Sequence, residues 1–173
     1  HSLNTSYGAA SQTSFDAGSM EYNQLVFNAG VVRGFEVGNL PEPLNLALGV
    51  EARRENYQIG AGETASYALG PVVGVPAGSQ GFPGFQPSNE LDKERTAYSA
   101  YVDVEARLTQ KFLGSVALRG EHYSDFGSAV TGKIAARFDF TESFALRGNV
   151  STGFRAPGLQ QEFFTSTATN FIN

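Results

Sequence analysis

Apolar and polar residues alternate along most of this chain with a period of two, the signature of half-buried β-strands. Leu44, Leu46, Leu48, Val50 and Ala52 share one parity; Asn45, Glu51 and Arg53 share the other. The pattern returns at Tyr98, Ala100, Val102, Val104, Ala106 and Leu108 against Ser99, Asp103, Glu105 and Arg107. It returns at Phe112, Val116 and Leu118, at Val130, Ile134, Phe138 and Phe140, and at Phe144, Leu146 and Val150. An earlier, less regular run carries Leu25, Phe27, Ala29 and Val31 on one face. The pattern predicts an all-β chain, an antiparallel meander of about six long strands near 21–37, 44–59, 93–108, 111–123, 129–140 and 144–155.

These runs are long against the ~5–6 residues of an ordinary strand. They suit a strand that must cross a bilayer core, which needs ~9–11 residues. The connections alternate in length. Turns at 38–43, 109–110 and 141–143 are short, whereas 60–92 is long and punctuated by Gly and Pro. Short turns on one side and long loops on the other are the habit of outer-membrane barrels. On that reading 60–92 and the turn at 124–128 are extracellular and the other turns periplasmic. Within 44–59, 96–108, 111–123, 129–140 and 144–155 every Asp, Glu, Lys and Arg except Arg54 lies opposite the apolar face. Phe35, Phe112, Phe138, Phe140 and Phe144 fall near one set of strand ends, and Tyr57, Tyr98, Tyr123, Phe126 and Phe154 near the other. They are read as two aromatic girdles. The competing reading is a soluble or surface-exposed β-sandwich binding module, in which the even-numbered apolar face from 98 to 150 is buried under a second sheet.

Composition narrows the function. The 173 residues suffice for one domain. A net charge of −5 argues against nucleic acid as a partner. The absence of cysteine excludes a disulfide scaffold and a thiol nucleophile, and two histidines, His1 and His122, exclude a His-rich metal site. Gly60-Ala61-Gly62-Glu63-Thr64-Ala65 matches G-x-G-x-x-A, but a dinucleotide fingerprint must open a helix and the following Ser66, Tyr67, Gly70 and Pro71 are expected not to form one. His122 and Asp125 near one rim are a thin basis for acid–base catalysis, so no catalytic residue, metal or cofactor is expected. The inward charges Glu51, Arg53, Asp103, Glu105, Arg107, Arg119, Glu121, Arg137 and Arg147 mix both signs. They fit a lumen wall whose neighbours pair across strands, or one that holds a polar filling.

The stretch from Leu146 to Phe163, with Gly153-Phe154-Arg155-Ala156-Pro157 at the end of a strand and Leu159-Gln160-Gln161 after it, resembles the TonB-dependent receptor family. Tyr123-Ser124-Asp125-Phe126-Gly127-Ser128 followed by Gly132-Lys133 is similar to the family's preceding hairpin. Leu48 to Glu55 is similar to another of its barrel strands, and Gln80-Gly81-Phe82-Pro83-Gly84-Phe85 to one of its loops. The resemblance implies a 22-stranded barrel of the bacterial outer membrane with an N-terminal plug. It implies active uptake of a siderophore, a vitamin such as B12, haem or a saccharide, driven through TonB–ExbB–ExbD, and no enzyme activity. Only about six strands and neither plug nor TonB box are present, so the chain is expected to be an internal piece of the barrel domain. Such a piece has open edges and an apolar face, and is expected to need lipid or detergent or to self-associate.

Ligand contact is expected in the loop 60–92. Its Tyr67, Phe82 and Phe85, with few charges between them, suit stacking on a sugar or an aromatic siderophore; Arg155, of lumen parity, suits a plug carboxylate or an anionic ligand. The plainer alternatives are that Phe82 and Phe85 fold the loop down and that Arg155 pairs with a neighbouring strand.

Overall fold

The computed structural model describes residues 3–167; His1 lies outside them. Six strands form one antiparallel sheet in chain order: β1 (Ser19–Phe35), β2 (Leu44–Gly60), β3 (Leu91–Thr109), β4 (Phe112–Tyr123), β5 (Gly127–Thr141) and β6 (Phe144–Ser151). β1 to β3 run 17, 17 and 19 residues, longer than an apolar bilayer band requires. No described helix is long and apolar enough to cross a membrane, which says nothing of strands.

Register explains the sorting of side chains. Val104, Val116, Ile134 and Val150 stand opposite one another across β3, β4, β5 and β6, and so do Val102, Leu118 and Gly132. These even-numbered residues make one face, and it is open: Ile134 is 64 % and Val150 78 % exposed. A sandwich would bury this face, but the strands form a single sheet among the described residues. Phe138, Phe140 and Phe144 line one end of it, with ring centroids 4.8 and 5.6 Å apart.

Two tight turns share their chemistry. Thr109 Oγ1 accepts from the N–H groups of Lys111 and Phe112 at 3.3 and 3.1 Å, and Thr141 Oγ1 from that of Ser143 at 3.3 Å. The ladder slips at the same point beside each, between Arg107 and Thr109 and between Asp139 and Thr141. β6 ends at Ser151, short of the expected 155. Thr152 N–H makes the last bond, 2.9 Å to Gly132, and Gly153 and the donor-less Pro157 follow.

The chain divides into two compact units: His1–Gln24, Glu55–Glu94 and Pro157–Asn173 form one, Leu25–Arg54 and Arg95–Ala156 the other. The first has a core of Tyr57, Ile59, Phe85 and Leu159, with Leu91 and Phe163 packed against it. Here the expectation of a structureless, helix-free loop is corrected. Thr64–Tyr67 forms one helical turn (α1) and Pro87–Asn89 a 3-10 turn, and Leu159–Phe163 forms a second short helix (α2). Buried Asn4 organises the first of these: its Nδ2 donates to the carbonyls of Ala65 and Ala68 at 2.9 and 3.0 Å. Ser6 Oγ accepts from Gly70 N–H at 2.7 Å. The second glycine of the G-x-G-x-x-A run, Gly62, serves close backbone approach. A Cβ on Gly62 would lie 2.5 Å from the Asp16 carbonyl oxygen and 2.7 Å from Gly18 N, so no side chain fits.

Candidate functional site

The odd-numbered face of β2 to β6 carries the charges, apart from Arg54 of β2 and Asp92 and Glu94 of β3. Alternation places Glu51 and Arg53 together on β2, and register brings Arg119 and Glu121 of β4 across from Tyr101 and Ser99 of β3. The result is a continuous ladder. Arg53 donates to Glu51 at 2.7 Å, Arg119 lies 3.6 Å from Glu51 and 2.6 Å from Glu121, and Tyr123 Oη donates to Glu121 at 2.9 Å. A second group gathers near the tight turns. Arg107 pairs with Glu42 at 2.8 Å and Asp139 at 3.3 Å, and Arg137 holds Asp139 at 2.7 Å. Arg53–Glu51, Arg119–Glu121 and Arg137–Asp139 lie within one strand, while Arg119–Glu51, Arg107–Asp139 and Arg107–Glu42 join different segments; partly exposed, each pair is worth ~1 kcal/mol or less.

Among the described residues Asp103, Glu105, Lys133 and Arg147 form no ion pair. Arg147 stands directly opposite Arg137 in the ladder.

Two of the sequence motifs meet. The ring of Tyr123 stacks on Phe126 at 4.7 Å, and Phe154 of the Gly-Phe-Arg-Ala-Pro run reaches both, at 6.2 and 5.7 Å. Arg95, only 2 % exposed, lies 5.7 Å over the Tyr123 ring and 3.4 Å from Asp125. Ser124 N–H donates to the Thr96 carbonyl at 3.0 Å, tying the hairpin to β3. Asp125 is thereby engaged by Arg95, while His122 Nδ1 lies 2.9 Å from Ser128 Oγ, so no His–carboxylate pair forms here. Arg95 was missed in the sequence, although its odd parity on β3 places it on the charged face.

The girdle assignment needs correction at two residues. Tyr57 and Tyr123 are buried and share the parity of the inner charges, so neither faces the apolar side; Tyr98 does. Parity would have separated them, whereas nearness to a strand end did not. Of the expected ligand contacts, Phe82 and Phe85 come together edge to face at 5.1 Å. Phe85 is 7 % exposed and belongs to the core, with Phe164 6.3 Å away; Phe82 is 43 % exposed. Tyr67 ends α1, half-buried. Arg155 belongs to the other unit, is exposed, and makes no ion pair among the described residues.

A family model described as TonB dependent receptor-like, beta-barrel matches residues 1–173. No curated protein and no solved structure gives a match. The match spans the whole chain and agrees with the long meander, its exposed apolar face and its charged opposite face. The chain therefore belongs to the TonB-dependent receptor-like β-barrel family.

Proposed function

We propose that this chain forms part of the wall of a bacterial outer-membrane transporter, with its even-numbered face in lipid and its odd-numbered face toward a plug, in a receptor driven by TonB–ExbB–ExbD to take up a siderophore, vitamin or saccharide. The observation that supports this most directly is the continuous exposed apolar face of β3 to β6 opposite the ion-pair ladder. Lipid takes up such a face at no polar cost, because every strand can satisfy its backbone within a closed barrel. The test is paramagnetic quenching by spin-labelled lipid of the receptor reconstituted in vesicles. Even-numbered positions such as 134 and 146 are quenched and odd-numbered ones are shielded. Equal quenching of both faces overturns the reading.

Within that receptor, exposed Phe82 and half-buried Tyr67 are the proposed aromatic contacts for ligand, with Phe85 supporting Phe82 from beneath. Arg155, exposed and carrying five fixed donors, is the proposed contact for an anionic group. Replacing Tyr67 and Phe82 together by Ala lowers ligand affinity and uptake in receptor that still inserts. Unchanged affinity and uptake assign the loop a structural role only.

A further inference from the structure

The two tight turns do not end level. Phe112, the first residue of β4, stands opposite Phe138, but β5 runs on through residues 139–141 before its own turn. The β5–β6 hairpin therefore overhangs the β3–β4 turn and leaves a step at that end of the sheet. One backbone bond fixes the corner of the step. Asp139 N–H donates to the Lys111 carbonyl at 2.8 Å and so holds Lys111 beside the overhanging turn.

A cavity of about 630 Å³ occupies the step, and its lining is part polar and part apolar. Lys111 supplies a cation, Glu142 a carboxylate, and Phe140 and Phe144 supply rings that are 48 and 60 % exposed. Among the described residues Lys111 and Glu142 form no ion pair, and the Ser143 hydroxyl forms no hydrogen bond. Thr141 Oγ1 accepts from Ser143 N–H, which leaves its own O–H to donate. Arg137 and Asp139 also border the cavity, but they hold each other at 2.7 Å. Phe140 and Phe144 continue the row of rings that starts at Phe138 on the apolar face.

We propose that this step seats the headgroup of a phospholipid that carries both a phosphate and a primary ammonium. The phosphate meets Lys111 and the hydroxyls of Thr141 and Ser143, the ammonium meets Glu142, and the acyl chains run over Phe140 and Phe144 onto the apolar face. The chemistry of the lining selects this occupant. Lysine is a strong partner for phosphate, and its flexible stem carries the charge to the interface. Aromatic rings sit at the level of the headgroups. A phosphate alone, or a lipid without an ammonium, satisfies Lys111 and places a like charge near Glu142. A quaternary ammonium has no N–H to donate to that carboxylate. The inference rests on the even-numbered face lying in lipid, and adds a preferred headgroup at one place on its border.

The experiment titrates the full chain in maltoside micelles with phosphatidylethanolamine, phosphatidylglycerol and phosphatidylcholine of equal chain length, and with soluble phosphoethanolamine. Backbone amide shifts of residues 110–112 and 140–145 are the readout. Phosphatidylethanolamine binds about threefold more tightly than the other two lipids, the worth of one exposed pair. Lys111→Gln weakens all three about threefold, and Glu142→Gln abolishes the preference for the ethanolamine headgroup without weakening phosphatidylglycerol. Both side chains are exposed, so neither variant disturbs the fold. Equal affinity for the three lipids, a preference that survives Glu142→Gln, or no shift at these residues overturns the inference. Phosphoethanolamine matching the lipid also overturns it, in favour of a soluble phosphate ester. Quenching of positions 134 and 146 by spin-labelled lipid is measured on the same sample. If they are not quenched, the lipid-facing reading has failed; if they are quenched and no headgroup is preferred, only the headgroup inference has failed.

Discussion

Tyr101 of β3 lies flat across Gly49 of β2, close enough that a Cβ on Gly49 would stand 2.6 Å from its hydroxyl oxygen. The same hydroxyl reaches on to within 3.1 Å of where a Cβ on Gly30 of β1 would be. One aromatic ring thus covers backbone that two glycines leave bare, and its packing pins three strands in register. Gly49→Ala is expected to cost about 1–3 kcal/mol, the range for overpacking. The double variant with Tyr101→Ala is expected to cost less than the sum of the singles, because the clash goes with the ring. Urea unfolding in detergent, read by tyrosine fluorescence and by gel mobility, checks both.

Asp125 and Arg95 form the second relationship open to measurement. Arg95 is almost wholly enclosed, and Asp125 is one of its partners. Asp125→Ala is expected to destabilise the β4–β5 hairpin by about 1.5 kcal/mol, the loss of one charge-assisted contact. Hydrogen exchange of residues 123–128 reports the hairpin directly. Equal protection in wild type and Asp125→Ala would contradict the assigned role.

Neighbouring residues on β4 separate the two faces. Val116→Arg puts a charge on the apolar face, where it costs about 2–4 kcal/mol in a bilayer. Ala117→Arg puts the same charge beside Asp103, where the cost is expected to stay under about 1 kcal/mol. Folding yield into lipid vesicles distinguishes them; equal yields count against a lipid-facing assignment.

In the loop unit the paired phenylalanines divide support from contact. Phe85→Ala removes a ring from the Tyr57, Ile59 and Leu159 core and is expected to cost about 3 kcal/mol. Phe82→Ala is expected to cost about 0.5 kcal/mol, as at other exposed positions. Limited proteolysis of 61–90 followed by mass spectrometry should show accelerated cleavage only for Phe85→Ala.

The faces of the strands were readable in the sequence because a strand's parity is local: each residue's side follows from its neighbours two positions away. That Glu51, Arg53, Asp103, Glu105, Arg107, Arg119, Glu121, Arg137 and Arg147 share one face needed nothing more. Tyr57 and Tyr123 lie near strand ends, but their odd parity, not that nearness, sets the face they take. The folding of 60–92 could not be read at all. It depends on Asn4 bonding to the carbonyls of Ala65 and Ala68, more than sixty residues away, and on Leu159 closing over Phe85. No local pattern marks either contact. The spacing of the charges across the strands was hidden for a related reason. Alternation places Asp103 and Lys133 on the same face, but only register reveals that small residues separate them.

The threonine turns set an order of assembly. Thr109 and Thr141 close their hairpins over two residues each, so β3 meets β4, and β5 meets β6, at little cost in chain entropy. β2 and β3 are joined through the whole of 61–90, and closing that span costs about 2 kcal/mol more. The core of Tyr57, Ile59 and Phe85 offsets part of this only once it has formed. The four strands from β3 to β6 are therefore expected to zip together first, with β1 and β2 arriving as a separate hairpin. The step that joins the two pieces sets the pace of the whole sheet.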